Sequence, residues 1–62
     1  MDNRVFQLAE KIKQDNIQIK KDLVNGDISE EFYRGCMSDS EIMLEYMEEI
    51  WDVNLSDYFI EW

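Results

Sequence analysis

The sequence predicts an all-α protein, a small compact bundle of three helices at about residues 3–24, 28–37 and 39–53, closed by a short helical turn at about 55–61. Three observations carry that expectation. Apolar residues recur at three- and four-residue steps rather than alternately, which is the period of a helix face. The chain has no proline and two glycines, so one strong turn signal, Asn25-Gly26, divides it. At Asp27 and again at Ser38 a capping residue is followed three positions later by Glu, the pattern of a capping box. With 62 residues there is room for one domain, residues 1–62,.

The first helix has Asp2 or Asn3 as candidate caps. Its stripe is Val5, Leu8, Ala9, Ile12, Ile19 and Leu23, with Asn16 standing where another apolar residue is due,. Phe6, Ile17 and Val24 lie beside it. Gly26 accepts the left-handed conformation that ends a helix. Asp27 and Glu30 then open the second helix, whose apolar side is Ile28, Phe32, Tyr33, Cys36 and Met37. Ser38 and Glu41 open the third. Gly35 and Asp39 would fall on the apolar face of one continuous helix, which favours a break or bend over a straight rod. Asn54 and Ser56 can cap a final turn carrying Leu55, Tyr58, Phe59 and Trp62. The alternation of Tyr58, Ile60 and Trp62 would suit a strand, but no second strand exists to pair with it. The alternative fold is a two-helix hairpin that dimerises into a four-helix bundle.

The most strongly patterned stretch is Ser38–Val53. On a helix, Glu41, Glu45, Glu48, Glu49 and Asp52 gather within an arc of roughly 100°, and Ile42, Met43, Leu44, Tyr46, Met47, Ile50, Trp51 and Val53 fill roughly 200°. A surface helix needs an apolar stripe little more than 100° wide. The excess must meet other parts of the chain or another protein.

Six Lys and Arg against fifteen Asp and Glu give a net charge of −9. Residues 1–25 hold five bases and four acids, whereas residues 26–62 hold one base, Arg34, and eleven acids. The acidity belongs to the C-terminal half. Such a surface repels phosphates and anionic lipid and attracts basic grooves. High charge can mean disorder, but 45% apolar residues with eight aromatics argue for a packed domain,. A domain this small buries only about 60% of the surface its unfolded chain exposes, so self-association is a natural supplement. Cys36, the single cysteine, cannot form an internal disulfide and fits a reducing compartment,. No apolar leader and no membrane-length run is present, and the expected location is cytoplasmic.

Enzyme chemistry finds little support. The chain lacks histidine, the commonest acid-base group and metal ligand,. Cys36 sits between Gly35 and Met37 on an apolar side and reads as a small packed residue. Pairs such as Glu45 with Glu48 or Glu49 could hold a hard cation, but the Glu-x-x-His step of di-iron bundles, the calcium-loop spacing and a glycine-rich phosphate loop are missing. The expectation is no enzyme, no metal and no cofactor. Direct nucleic-acid binding is also not expected, because Lys11, Lys13, Lys20 and Lys21 are interrupted by acids in a molecule of net −9,.

Two constellations remain. The acid stripe spans eleven residue steps from Glu41 to Asp52, about 16 Å on a helix, and suits a groove built for nucleic acid; its alternative is a solvated face, or pairing with the lysines of the first helix. The edge formed by Leu44, Met47 and Trp51 is either an interface anchor or part of the core. In size, acidity and lack of catalytic apparatus the chain resembles the inhibitors that phages and other mobile elements use against host nucleases, polymerases and CRISPR effectors. It is equally similar to immunity proteins and antitoxins that neutralise a basic toxin. The resemblance implies a binding protein, a nucleic-acid mimic, that docks on a basic surface of a larger protein and inhibits or regulates it. Its partner-binding residues would be Glu41, Glu45, Glu48, Glu49 and Asp52, with Leu44 and Trp51 as anchors. A homodimeric helical adaptor is the alternative function.

Overall fold

Asn25-Gly26 acts as the turn signal indicates. The computed structural model describes residues 3–60, and in it helix α1 runs Arg4–Asn25. Gly26 has φ = 81°, and the N–H groups of Gly26 and Asp27 donate to the carbonyls of Leu23 and Asp22 at 3.1 and 2.9 Å. This pair of bonds is the Schellman ending, which satisfies two of the carbonyls a helix leaves without partners. At the other end Asn3 holds the cap position with its carbonyl, 3.1 Å from the Gln7 N–H, and its side chain makes no capping bond. Asp2, the other candidate cap, lies outside the described residues.

A short loop leads to α2, Glu30–Trp51, and here the structure corrects the expectation. The segments expected as separate helices at 28–37 and 39–53 form one continuous helix. Its cap is Ser29 in place of Asp27: the Ser29 Oγ accepts from the Phe32 N–H at 3.1 Å, and Glu30 and Glu31 occupy the first turn, where the helix dipole favours acids,. Ser38 lies mid-helix with its side chain exposed. The break is absent because Gly35 and Asp39 do not face the core. Both are exposed, on the side of α2 turned away from α1, so neither buries a charge nor leaves a gap,. The roughly 200° apolar arc divides: Leu44 and Met47 are buried and Val53 half-buried, while Ile42, Met43, Tyr46, Ile50 and Trp51 stay exposed; earlier in the helix Tyr33 and Met37 continue the buried face and Phe32 is exposed.

α2 ends at Asp52, which adopts the left-handed conformation (φ 51°, ψ 53°) and donates its N–H to the Glu48 carbonyl. The chain then turns back as a hook. Its only helical part among the described residues is a 3-10 turn, Ser56–Tyr58, shorter than the turn expected over 55–61; residues 61 and 62 lie outside the described residues. The Asn54 side chain accepts from the Ser56 N–H at 2.9 Å and starts that turn,.

The fold is thus a two-helix antiparallel hairpin with a hook, 41 × 16 × 14 Å. The main core joins Val5, Ala9 and Ile12 of α1, Leu44 and Met47 of α2, and Leu55 of the hook, with Phe6, Val53, Tyr58 and Phe59 packed against it. Phe6 and Tyr58 meet ring to ring, with centroids 6.5 Å apart. Asn16, the polar interruption of the α1 stripe, is 4% exposed and accepts a hydrogen bond at 2.8 Å from the Ser40 Oγ of α2. That bond sets which residue of one helix stands beside which of the other, because sliding the helices by a turn would orphan a buried amide.

Candidate functional site

The C-terminal half of α2 carries the acid residues that the sequence singles out. Glu41, Glu45, Glu48 and Asp52 fall, at 100° per residue, between about 40° and 100° to one side of Leu44, with Glu49 a little further round. Glu45, Glu49 and Asp52 are exposed and Glu41 is half-buried. Among the described residues none of these four has an ion-pair partner. Two ion pairs among the described residues run within one helix: Lys11 with Asp15 at 3.8 Å on α1, and Arg34 with Glu30 at 2.7 Å on α2. Lys13 and Lys21, the bases that could have reached across, pair with no carboxylate among the described residues. Neither of these lysines cancels the stripe.

Glu48 has a different task. Its Oε2 accepts the Leu55 N–H at 2.7 Å, fastening the hook to α2 where the chain reverses. A charged acceptor on a backbone N–H is among the stronger hydrogen bonds available. This residue is therefore part of the scaffold as well as of the stripe. The sequence placed it on the stripe and contained no sign of the second role, since the hook's path is set by tertiary packing.

The end of α2 concentrates charge where the helix dipole is negative. Glu48, Glu49 and Asp52 occupy the last turn and its cap, and no base is present in that turn. Each acid at such a position costs about 0.3–1 kcal/mol when exposed in dilute salt. Asp52 also takes a positive φ that glycine adopts more readily,. At the exposed Glu49 and Asp52 the residue choices weaken the isolated chain.

Of the two candidate anchors, Leu44 is 1% exposed and among the largest fully buried side chains, whereas Trp51 is 43% exposed. Leu44 holds the core; Trp51, at the end of the stripe, offers an aromatic surface beside Asp52. Sequence reasoning did not separate out a third feature, the exposed apolar row Phe32, Met43, Tyr46 and Ile50. Its signal was legible in the recurrence of apolar residues at 32, 36, 43, 46 and 50, a seam-like spacing interrupted by Asp39 that the broad apolar arc conceals,.

The described residues contain no group of three or more carboxylates or thiols placed to hold a metal ion. Cys36 is free and half-buried. No described helix is long and apolar enough to cross a membrane. What the arrangement offers chemically is a straight row of carboxylates about 16 Å long, bordered by one open tryptophan. Comparison with protein-family models, with curated proteins and with solved structures gives no match for this chain.

Proposed function

We propose that this chain is a small acidic binding protein that docks on a basic surface of a larger protein and inhibits or regulates it. The observation that supports this reading is the uncancelled row of Glu41, Glu45, Glu49 and Asp52 along one unbroken helix, at whose end acids stand against the dipole. A row of negative charge is recognised by Lys and Arg lining a cleft, and the attraction acts mainly by raising the association rate. Trp51 supplies the apolar contact that slows release, as aromatic anchors do at interfaces. A groove that binds nucleic acid has the charge required, so the finer reading is a nucleic-acid mimic, of the kind phages and mobile elements use against host defence or nucleic-acid-binding proteins. An immunity protein or antitoxin covering a basic toxin uses the same chemistry.

The test is capture of the partner on immobilised chain, followed by a salt series and charge reversal. Capture should fall steeply between about 0.05 and 0.5 M salt. It should fall at least about tenfold, the equivalent of 1.4 kcal/mol, in Glu45→Lys/Glu49→Lys, while Lys13→Glu/Lys21→Glu leaves it intact or stronger. Displacement of the captured partner by nucleic acid identifies the mimic. Unchanged capture by the Glu45→Lys/Glu49→Lys chain overturns the proposal.

A further inference from the structure

A two-helix hairpin has two long sides, and the hook closes one of them. Relative to the inward-facing Ala9 of α1, Phe6, Ile17 and Val24 lie about 60–80° to one side, and Leu8 and Ile19 about 80–100° to the other. The hook lies on the first side: Tyr58 meets Phe6, and Ile60 stands with Ile17 and Val24. On α2 the hook's fastening, Glu48, lies about 40° from Leu44 toward the same side, as do the other acids of the stripe,. Phe32, Cys36, Met43 and Ile50 lie about 80–120° the other way. In antiparallel helices of one hand, equal offsets from the contact line fall on the same side, so Leu8 of α1 and these α2 residues share the side that the hook leaves open.

That side is apolar and uncovered. Leu8 is 45% exposed, Met43 47%, Phe32 57% and Ile50 73%. The chain's accessible surface, 4666 Å², exceeds the about 4,200 Å² of a compact protein of its mass, as expected of half a bundle.

From this we infer that the open side receives a second copy of the chain, two hairpins packing face to face as an antiparallel four-helix bundle. Three features of the molecule favour this occupant. Phe32 and Cys36 are four residues apart, and Cys36, Met43 and Ile50 then recur every seven, the heptad repeat of a seam that interdigitates with an identical helix. The whole molecule measures 41 by 16 Å along its two longest axes, roughly 650 Å² in projection, so one long side has the scale of the about 800 Å² per partner of a standard interface. The charge arrangement also permits self-contact: the acid stripe lies roughly opposite the open side around α2, so pairing leaves both stripes on outer faces. The Lys11–Asp15 ion pair and Asp39 lie about 120–160° from the contact line, at the outer edge of the open side alongside Phe32 and Ile50, where charge stays in reach of water,. The dimer presents two separated acid stripes, and this arrangement does not depend on what those stripes bind.

Sedimentation equilibrium of the full chain tests it, from about 5 to about 200 μM, the range in which micromolar dissociation constants are read. Salt is set at about 0.15 and 0.5 M to screen the like charge of the copies. The wild-type mass should rise to twice the 7.5 kDa of one chain. Met43→Glu/Ile50→Glu should remain at 7.5 kDa with helical circular dichroism retained, and Glu45→Lys, on the far side, should associate like wild type. If the double variant loses its helices, Ile50→Ser replaces it. The urea midpoint of the wild type should also rise with protein concentration, as it does when folding and association are linked. A wild type that stays at the single-chain mass throughout, or a folded variant that still doubles its mass, overturns the inference.

Discussion

Helices α1 and α2 are each 22 residues long and share one core, yet they treat their surfaces differently. α1 settles its polar groups along itself: Gln14 donates to Glu10 at 2.9 Å, Gln18 donates to Asp22 at 3.1 Å, and Lys11 pairs with Asp15. Each is a neighbour one turn away, the distance at which such pairs stabilise a helix by a few tenths of a kcal/mol. α2 does this once, with Arg34 and Glu30, and beyond its second turn pairs none of its acids along the helix, Glu48 alone being engaged, by the hook. Of the eight large apolar side chains exposed among the described residues, six lie on α2: Phe32, Ile42, Met43, Tyr46, Ile50 and Trp51. The difference separates a scaffold helix, complete in itself, from a helix whose outer faces are chemically unfinished. Unfinished charge and unfinished apolar area on one element are what a recognition helix requires.

The contrast within α2 is open to the most damaging test. Leu44 and Met43 are adjacent, but Leu44 is packed against Val5, Ala9 and Leu55 in the core cluster and Met43 is exposed. Leu44→Ala should lose about 2–5 kcal/mol, the transfer of the lost carbons together with the cavity. A chain of this length has only about 3–9 kcal/mol in total, so the loss is a large share of the whole and should lower the urea midpoint sharply. Met43→Ala, in dilute solution, should stay within about 0.5 kcal/mol of wild type. Urea melts followed by circular dichroism decide it, and similar losses at both positions would mean that α2 does not have separate inner and outer faces.

A smaller effect is expected at the polar joint between the helices. Ser40→Ala removes the donor to Asn16 Oδ1 and leaves a buried amide oxygen without its partner, which costs about 1–3 kcal/mol. Asn16→Leu in the Ser40→Ala background should recover part of the loss, because the orphaned group goes with it. The same double variant should also loosen the register, visible as broadened amide resonances in α1. A double variant no more stable than Ser40→Ala would show that the joint contributes packing alone.

Much of this architecture was legible in the sequence, and the reasons for the failures are physical. Asn25-Gly26 marked the end of α1 because a left-handed glycine is a local requirement,. The stripe through Val5, Ala9 and Ile12 marked the core face of α1, and Asn16 stood out as the one break in it. The join between the second and third expected helices failed because Gly35 and Asp39 were judged by position on a wheel, as lying on the apolar face of a continuous helix. Only packing against α1 decides which part of a 200° arc is inside, and that is a non-local fact. The cap at Ser29 was missed for a local reason: Asp27 and Ser29 are both good caps, and Asp27 was needed two residues earlier to complete the ending of α1 through its N–H. In the site, the acid stripe followed directly from helical period. Leu44 as core and Glu48 as the hook's fastening depended on the path of residues 53–60, for which the sequence held no local signal.

The smallest effect sharpens the comparison most, because its sign is unusual. Glu49→Lys exchanges an exposed acid for a base in the last turn of α2, where no base is present. The helix dipole then favours the side chain where it had opposed it, and neighbouring Glu45 and Glu48 gain a positive charge within one turn. The expected outcome is a gain of a few tenths of a kcal/mol, up to about 1 in dilute salt, read as a higher urea midpoint and reduced by added salt. The same variant should capture the basic partner less well. Opposite signs in folding and in binding are the mark of a residue retained for recognition at the expense of the fold. A Glu49→Lys chain that unfolded more easily would mean that the carboxylate supports α2, and the distinction between a self-sufficient α1 and an unfinished α2 would fail at the residue where it is sharpest.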